Sequence, residues 1–141
     1  MISIRREGEA GMSGPTLSLA KLARATATHV AFAFVAMGGW TLFANRAHGE
    51  AAILPAVAQG AISGAITLVL KRVLEAMSLR LTGVLAYVAP PLVTASVILA
   101  LLITVHRLIG TPEIAATIAV PWSVSSLYAV VYSAVLARAR R

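Results

Sequence analysis

Residues 51–70 read AAILPAVAQGAISGAITLVL, twenty positions without one charged side chain. A helix of this length rises about 30 Å at 1.5 Å per residue, which matches the hydrocarbon thickness of a bilayer. The stretch lacks the alternation of apolar and polar residues that is typical of a membrane barrel strand. It is therefore predicted to be a membrane-spanning α-helix, because only helices and closed barrels satisfy their backbone polar groups in lipid.

Three further apolar stretches of similar length lie on either side of it. The four predicted spans cover residues 25–45, 51–70, 84–105 and 113–137. Hydrophobic residues make up 59% of the chain and charged residues 12%, which leaves too little polar material to cover a water-soluble globule. We expect an all-α integral membrane protein with a disordered cytoplasmic tail at 1–15, a four-helix domain at 16–138 and a basic cytoplasmic tail at 139–141.

The basic residues lie at alternate ends of these spans. Ten of the twelve come before the first span, between the second and third, or after the fourth. Arg46 and Arg107 lie in the two remaining connections. Because positively charged loops stay in the cytoplasm, both termini are predicted to be cytoplasmic, with a bacterial inner membrane as the location. The net charge of +7 is thereby explained by topology, and no nucleic-acid partner is expected.

Small side chains recur every four residues along the second span. They form a ridge of four members, Ala52, Ala56, Gly60 and Gly64. Such a ridge lets another helix approach closely, so it is predicted to be a helix-packing surface. Four helices enclose little space, and we expect the ridge to support a homo-oligomer or binding to a larger membrane partner, with membrane lipids around it.

Polar side chains form a second face beside that ridge. Gln59, Ser63 and Thr67 repeat at the same spacing, and Ser125 and Tyr128 lie on one side of the fourth span. An unpaired amide in hydrocarbon costs several kcal/mol, so these groups must meet protein or water. Two interpretations remain open: the groups bond between packed helices, or they line a polar path between the second and fourth helices.

Prolines mark two further positions. The Pro90-Pro91 pair lies about a third of the way through the third span and is expected either to begin the regular helix or to kink it sharply. Before the fourth span, Thr111 is predicted to be the N-cap, followed by a first-turn proline and a favourably placed Glu113.

The two connections that hold few charges resemble each other. Arg46 and Arg107 each begin an Arg-x-x-Gly motif that is followed by an acid and an apolar span. The likeness suggests two tandem helical hairpins of the same orientation, with chance as the alternative. Both arginines are candidate contacts for a lipid headgroup or another anion.

The residue patterns favour a protein without enzymatic activity, and no catalytic residue, metal site or cofactor is expected. Cysteine is absent, and no nucleophile elbow, phosphate-binding loop or zinc-protease motif occurs. The leading interpretation is an accessory or assembly subunit of a membrane complex. The alternative is a small transporter or lipid-translocating protein. A lipid-modifying enzyme that uses His48 or His106, both expected on the outer face, is a third interpretation.

Overall fold

A computed structural model describes residues 19–140 and contains four long helices. They are α1 (Leu19–Ala44), α2 (Ile53–Ser78), α3 (Leu85–Leu108) and α4 (Ile114–Ala139). Each is long and apolar enough to cross a membrane. The predicted all-α class with four such helices is therefore confirmed for this part of the chain. The tail predicted at 1–15 lies outside the described residues, as does Arg141 of the basic tail.

Two loops emerge at one end of the bundle, which we call the loop end. Arg46–Ala52 forms 3-10 turns between α1 and α2, interrupted at Gly49, where φ is 58°. Residues 109–113 join α3 to α4, and Gly110 there has a φ of 69°. A residue with a Cβ rarely adopts such a φ, so both Arg-x-x-Gly motifs end in a glycine that the turn requires. The opposite end, with the α2–α3 turn, is called the terminal end.

The helices pack as two hairpins. α1 lies mainly against α2 and α3 mainly against α4, while α2 and α4 also contact each other. Within residues 19–140, no Cα atom of α1 lies within 8 Å of a Cα atom of α3. A core between α2, α3 and α4 consists of Leu70, Leu74, Ile98, Leu102, Ile118 and Ala129. The exterior carries many large apolar side chains, which is typical of a surface that contacts lipid or a protein partner.

The small-residue ridge of α2 is covered by α1 of the same chain. A Cβ added to Gly60 would lie 2.8 Å from the Phe34 carbonyl oxygen, and one added to Gly64 would lie 3.1 Å from Cγ1 of Val30. Ala52 and Ala56 are buried as well. The two backbones can approach this closely only because side chains are absent between them. The ridge is therefore used inside the bundle and is not open to a second chain.

The third helix passes through its two prolines. α3 begins at Leu85, so the Pro90-Pro91 pair lies in its second turn and does not mark its start. Pro90 and Pro91 lack the N–H groups that would bond the carbonyl oxygens of Ala86 and Tyr87, so α3 continues through the pair with two fewer backbone hydrogen bonds. The Thr94 hydroxyl donates to the Pro90 carbonyl oxygen at 2.8 Å. Of the two alternatives that the prolines suggested, a helix start at the pair is wrong, because α3 begins five residues before Pro90.

Candidate functional site

A chain of hydrogen bonds joins α2, α3 and the α3–α4 loop at the loop end. Nδ1 of His106 lies 2.7 Å from Oγ1 of Thr111, and its Nε2 lies 2.8 Å from Oε1 of Gln59. The amide nitrogen of Gln59 donates to Oγ of Ser63 at 2.9 Å. Since an amide oxygen only accepts, His106 carries a hydrogen on Nε2, and when the ring is neutral its Nδ1 accepts from the Thr111 hydroxyl. A neutral imidazole is thus fully paired.

Burial makes this chain of bonds important for the fold. His106 and Gln59 are both 0% exposed, and Ser63 is 7% exposed. A buried polar group that loses its hydrogen-bond partner has no water to replace that partner. The protein is then destabilised by the full free energy of desolvating the group. The bond between Gln59 and His106 therefore holds α2 and α3 at one relative position.

A second polar group joins α1 to α4. Oδ1 of Asn45 accepts the backbone N–H of Glu113 at 2.9 Å, and its Nδ2 donates to Oγ1 of Thr117 at 2.8 Å. The start of α4 is thus capped by a side chain from the end of α1. The predicted N-cap, Thr111, instead bonds His106, and α4 begins at Ile114. A helix N–H needs an acceptor, but the acceptor can come from a distant residue that sequence spacing does not reveal.

Asn45 and His106 occupy matching positions in the two hairpins. Each comes immediately before an Arg-x-x-Gly motif, and each is 0% exposed. Asn45 of the first hairpin bonds Thr117 of the second, and His106 of the second bonds Gln59 of the first. The two hairpins are therefore joined by reciprocal contacts, each from the end of an odd-numbered helix to an even-numbered helix.

The surface of the loop end carries the charged residues singled out in the sequence. His48 and Glu113 bridge the two loops at 3.1 Å, and both are exposed. The Arg46 guanidinium donates to the Phe43 carbonyl oxygen at 2.9 Å and lies 4.2 Å from the centre of the Phe43 ring. Arg107 is exposed and has no such partner in the described part of the chain. Of the two candidate anion contacts, only Arg107 has an unengaged guanidinium.

His106 is turned into the bundle and not toward this outer face. It continues a buried stripe on α3 in which residues recur every four positions. The members of the stripe are Thr94, Ile98, Leu102 and His106. The expectation that His48 and His106 share the outer face is wrong, and the spacing of His106 from Ile98 and Leu102 was the sequence signal for its burial.

The polar residues of α2 do not continue as one lining. Gln59 and Ser63 are enclosed, whereas Thr67 is exposed and its hydroxyl donates to the Ser63 carbonyl oxygen at 2.9 Å. A threonine that bonds its own helix needs no neighbouring partner in lipid. Of the polar residues that repeat every four positions on α2, Gln59 therefore makes a contact between helices, whereas Thr67 bonds only its own helix.

The candidate lining on α4 lies elsewhere. The Ser125 hydroxyl donates to the Pro121 carbonyl oxygen at 2.8 Å, so it too is satisfied within its own helix. Tyr128 is 42% exposed and stacks on Tyr132 with ring centres 5.4 Å apart. The Tyr132 hydroxyl donates to Oε1 of Glu75 on α2 at 2.7 Å. The polar contact between α2 and α4 is thus made at the terminal end by Tyr132 and Glu75, two residues outside the predicted set.

A buried face of small residues on α4 was also missed. Its members recur every four residues and are Ser125, Ala129, Ser133 and Ala137. The hydroxyl of Ser133 has no hydrogen-bond partner among residues 19–140. The spacing of small residues was present in the sequence, and it matches the ridge that α2 presents to α1.

An apolar groove lies between α2 and α3 on the terminal side of the Gln59–His106 contact. Its volume is about 340 Å³.

Over residues 19–140, no cluster of three or more His, Asp or Glu side chains is placed to hold a metal ion. Comparison of the chain with protein-family models, with curated proteins and with solved structures gave no match. Its function must therefore be inferred from this geometry.

Proposed function

We propose that this chain is a small multi-pass protein of the bacterial inner membrane that acts as a non-enzymatic accessory or assembly subunit of a membrane complex. It crosses the bilayer four times as two tandem hairpins, with both termini and the α2–α3 turn in the cytoplasm. The distribution of basic residues supports this orientation, because positively charged segments are retained on the cytoplasmic side.

The closed polar interior is the observation that carries the proposal. Gln59 and His106 bond each other at 2.8 Å and are both 0% exposed. A passage for a polar solute would need such groups to face water. Here they face each other, which supports their role as bonds between packed helices. The exterior of the bundle is therefore the surface through which this protein interacts with another molecule.

The outer side of α1 is the surface best suited to a protein partner. α1 is the least buried of the four described helices. Phe32 and Val35 on it are 73% and 70% exposed. Aromatic residues are enriched where proteins bind each other, and one exposed helix can pack against a helix of a larger membrane protein.

Purification from native membranes in a mild detergent tests the proposal. We expect a larger membrane protein to co-purify with the wild-type chain and to be lost from the variant Phe32→Ala/Val35→Ala. A matched variant, Leu127→Ala/Val131→Ala, removes similar side chains that are 65% and 55% exposed on α4 and should keep the partner. Recovery of the wild-type chain with lipid and detergent alone would contradict the accessory role.

Movement of a solute or lipid is a second candidate function. It is favoured by the polar contact between α2 and α4, where the Tyr132 hydroxyl meets Glu75 beside the partly exposed Tyr128. Reconstituted vesicles test it directly. If this contact belongs to a path, Glu75→Gln should abolish transbilayer movement of a labelled lipid that the wild-type chain produces, with expression unchanged. Wild-type vesicles that match protein-free vesicles would exclude it.

A further inference from the structure

The groove between α2 and α3 is lined almost wholly by aliphatic side chains. Its walls include Ile66, Val69 and Val73 from α2 and Val93, Val97 and Leu101 from α3. The volume of about 340 Å³ falls within the roughly 300–1,000 Å³ that is typical of small-molecule sites. Val97 is 61% exposed, so the groove is open to the side of the bundle.

Two arginines lie beside the terminal end of the groove, one on α2 and one in the turn after it. Arg72 is next in sequence to Val73, which is the lining residue of α2 nearest the terminal end, and Arg80 lies in the turn that joins α2 to α3. α2 ends at Ser78, and Arg80 lies in the turn that follows, where its N–H bonds the Met77 carbonyl oxygen at 3.1 Å. Arg72 and Arg80 therefore lie at the terminal mouth of the groove.

Neither guanidinium at this mouth is neutralised by the protein. Arg72 and Arg80 are both exposed, and they have no hydrogen-bond or ion-pair partner within residues 19–140. Lys71, which does not line the groove, lies 3.8 Å from Glu75. The mouth of the groove thus combines an aliphatic wall with two unpaired positive charges.

We propose that this groove binds one acyl chain of an anionic phospholipid, with the phosphate held between Arg72 and Arg80. Guanidinium groups recognise phosphate oxygens through paired N–H donors, and the aliphatic wall accepts the chain. The site rests on the proposed membrane topology, which puts the terminal end among the headgroups of the cytoplasmic leaflet, where anionic lipids attract basic residues.

Charge favours this occupant over a helix from a second copy. The described carboxylate nearest the level of the two arginines is Glu75, and its oxygen already accepts from Tyr132 and lies near Lys71. Glu50 and Glu113 lie at the loop end. A second copy packed in parallel would therefore bring more arginines, and no unengaged carboxylate from the described residues, to this mouth.

Native mass spectrometry of the full-length chain in detergent tests the site. The protein is titrated with phosphatidylglycerol and, separately, with phosphatidylcholine that carries the same acyl chains. We expect tighter binding of phosphatidylglycerol, and we expect Arg72→Gln/Arg80→Gln to weaken it by about tenfold or more while phosphatidylcholine changes little. Ala65→Phe, which fills the groove from its α2 wall, should weaken both lipids.

Matched variants separate this site from general lipid contact. Arg138→Gln/Arg140→Gln removes the same charge at the end of α4, and Ala119→Phe adds the same bulk to an exposed position on α4. Both should bind phosphatidylglycerol as the wild type does. An equal loss with either arginine pair would overturn the proposal, and so would a dimer that Ala65→Phe abolishes. Circular dichroism of each variant confirms folding, and the result does not depend on a protein partner being captured.

Discussion

At the scale of single residues, Gln59 is the centre of the buried hydrogen bonds between α2 and α3. It contacts His106 on α3 and Ser63 on its own helix, and it is fully buried. Replacing it with leucine leaves the Nε2–H of His106 without an acceptor. We expect Gln59→Leu to lower the free energy of unfolding by about 1–2 kcal/mol, measured by reversible denaturation in mixed detergent micelles.

A double variant makes this prediction specific. Gln59→Leu/His106→Leu removes both polar partners, so it should recover part of the loss that the single change causes. Thr67→Val serves as the control, because that threonine is exposed and bonds its own helix. A cost for Gln59→Leu no larger than that of Thr67→Val would mean that the buried contact does not hold the bundle together.

Two glycines provide a second test at this scale. A Cβ on Gly60 would lie 2.8 Å from the Phe34 carbonyl oxygen, which is backbone and cannot rotate away. Gly60→Ala should therefore destabilise the protein by about 1–3 kcal/mol. Gly39 lies on α1 with nothing within 4 Å of its added Cβ, so Gly39→Ala should be neutral or stabilising by up to about 1 kcal/mol. Thermal denaturation of both variants decides the matter, and equal effects would contradict the close α1–α2 contact.

At the scale of helices, the start of α4 depends on α1. Asn45 accepts the backbone N–H of Glu113 and donates to Thr117. Asn45→Ala should let the first turn of α4 open more often and raise amide hydrogen exchange at residues 113–117 by about tenfold. Hydrogen exchange with mass spectrometry measures this change. Arg107→Ala, in the exposed loop, should leave those amides unchanged, and unchanged exchange in Asn45→Ala would refute the cap.

The four helices were predictable because length and hydropathy alone determine what can cross a bilayer. The sequence also indicated part of the α1–α2 contact, since a row of alanine and glycine residues on α2 predicts that another helix packs closely against it. What sequence could not give was the identity of each partner. The polarity of Gln59 required a partner, and the polar face of the fourth span was one candidate. The partner is instead His106 on α3, 47 residues away. Pairing between distant helices depends on how they are placed in space.

The details that failed share one physical cause. Local sequence rules pair each polar group with a residue nearby in the sequence, whereas several polar groups of this bundle are bonded by residues distant in the sequence. Thr111 fits the rule for an N-cap, yet its hydroxyl bonds His106, and Asn45 provides the cap.

At the scale of the whole molecule, several polar side chains are buried beside the apolar core, and many large apolar side chains are exposed. Asn45, Gln59 and His106 are fully buried, whereas Phe32 and Val35 are largely exposed. Such an exterior costs free energy in water and none in hydrocarbon, which supports our proposal that lipid surrounds the four helices.

Cysteine labelling in intact cells tests that claim most directly. The chain has no cysteine, so one introduced thiol reports on one position. Ala47→Cys and Leu108→Cys sit exposed at the loop end, and Leu79→Cys sits exposed at the terminal end. We predict that a membrane-impermeant maleimide labels positions 47 and 108 in intact cells, and position 79 only after the membrane is permeabilised. Labelling of position 79 in intact cells, or protection of positions 47 and 108, would contradict the account.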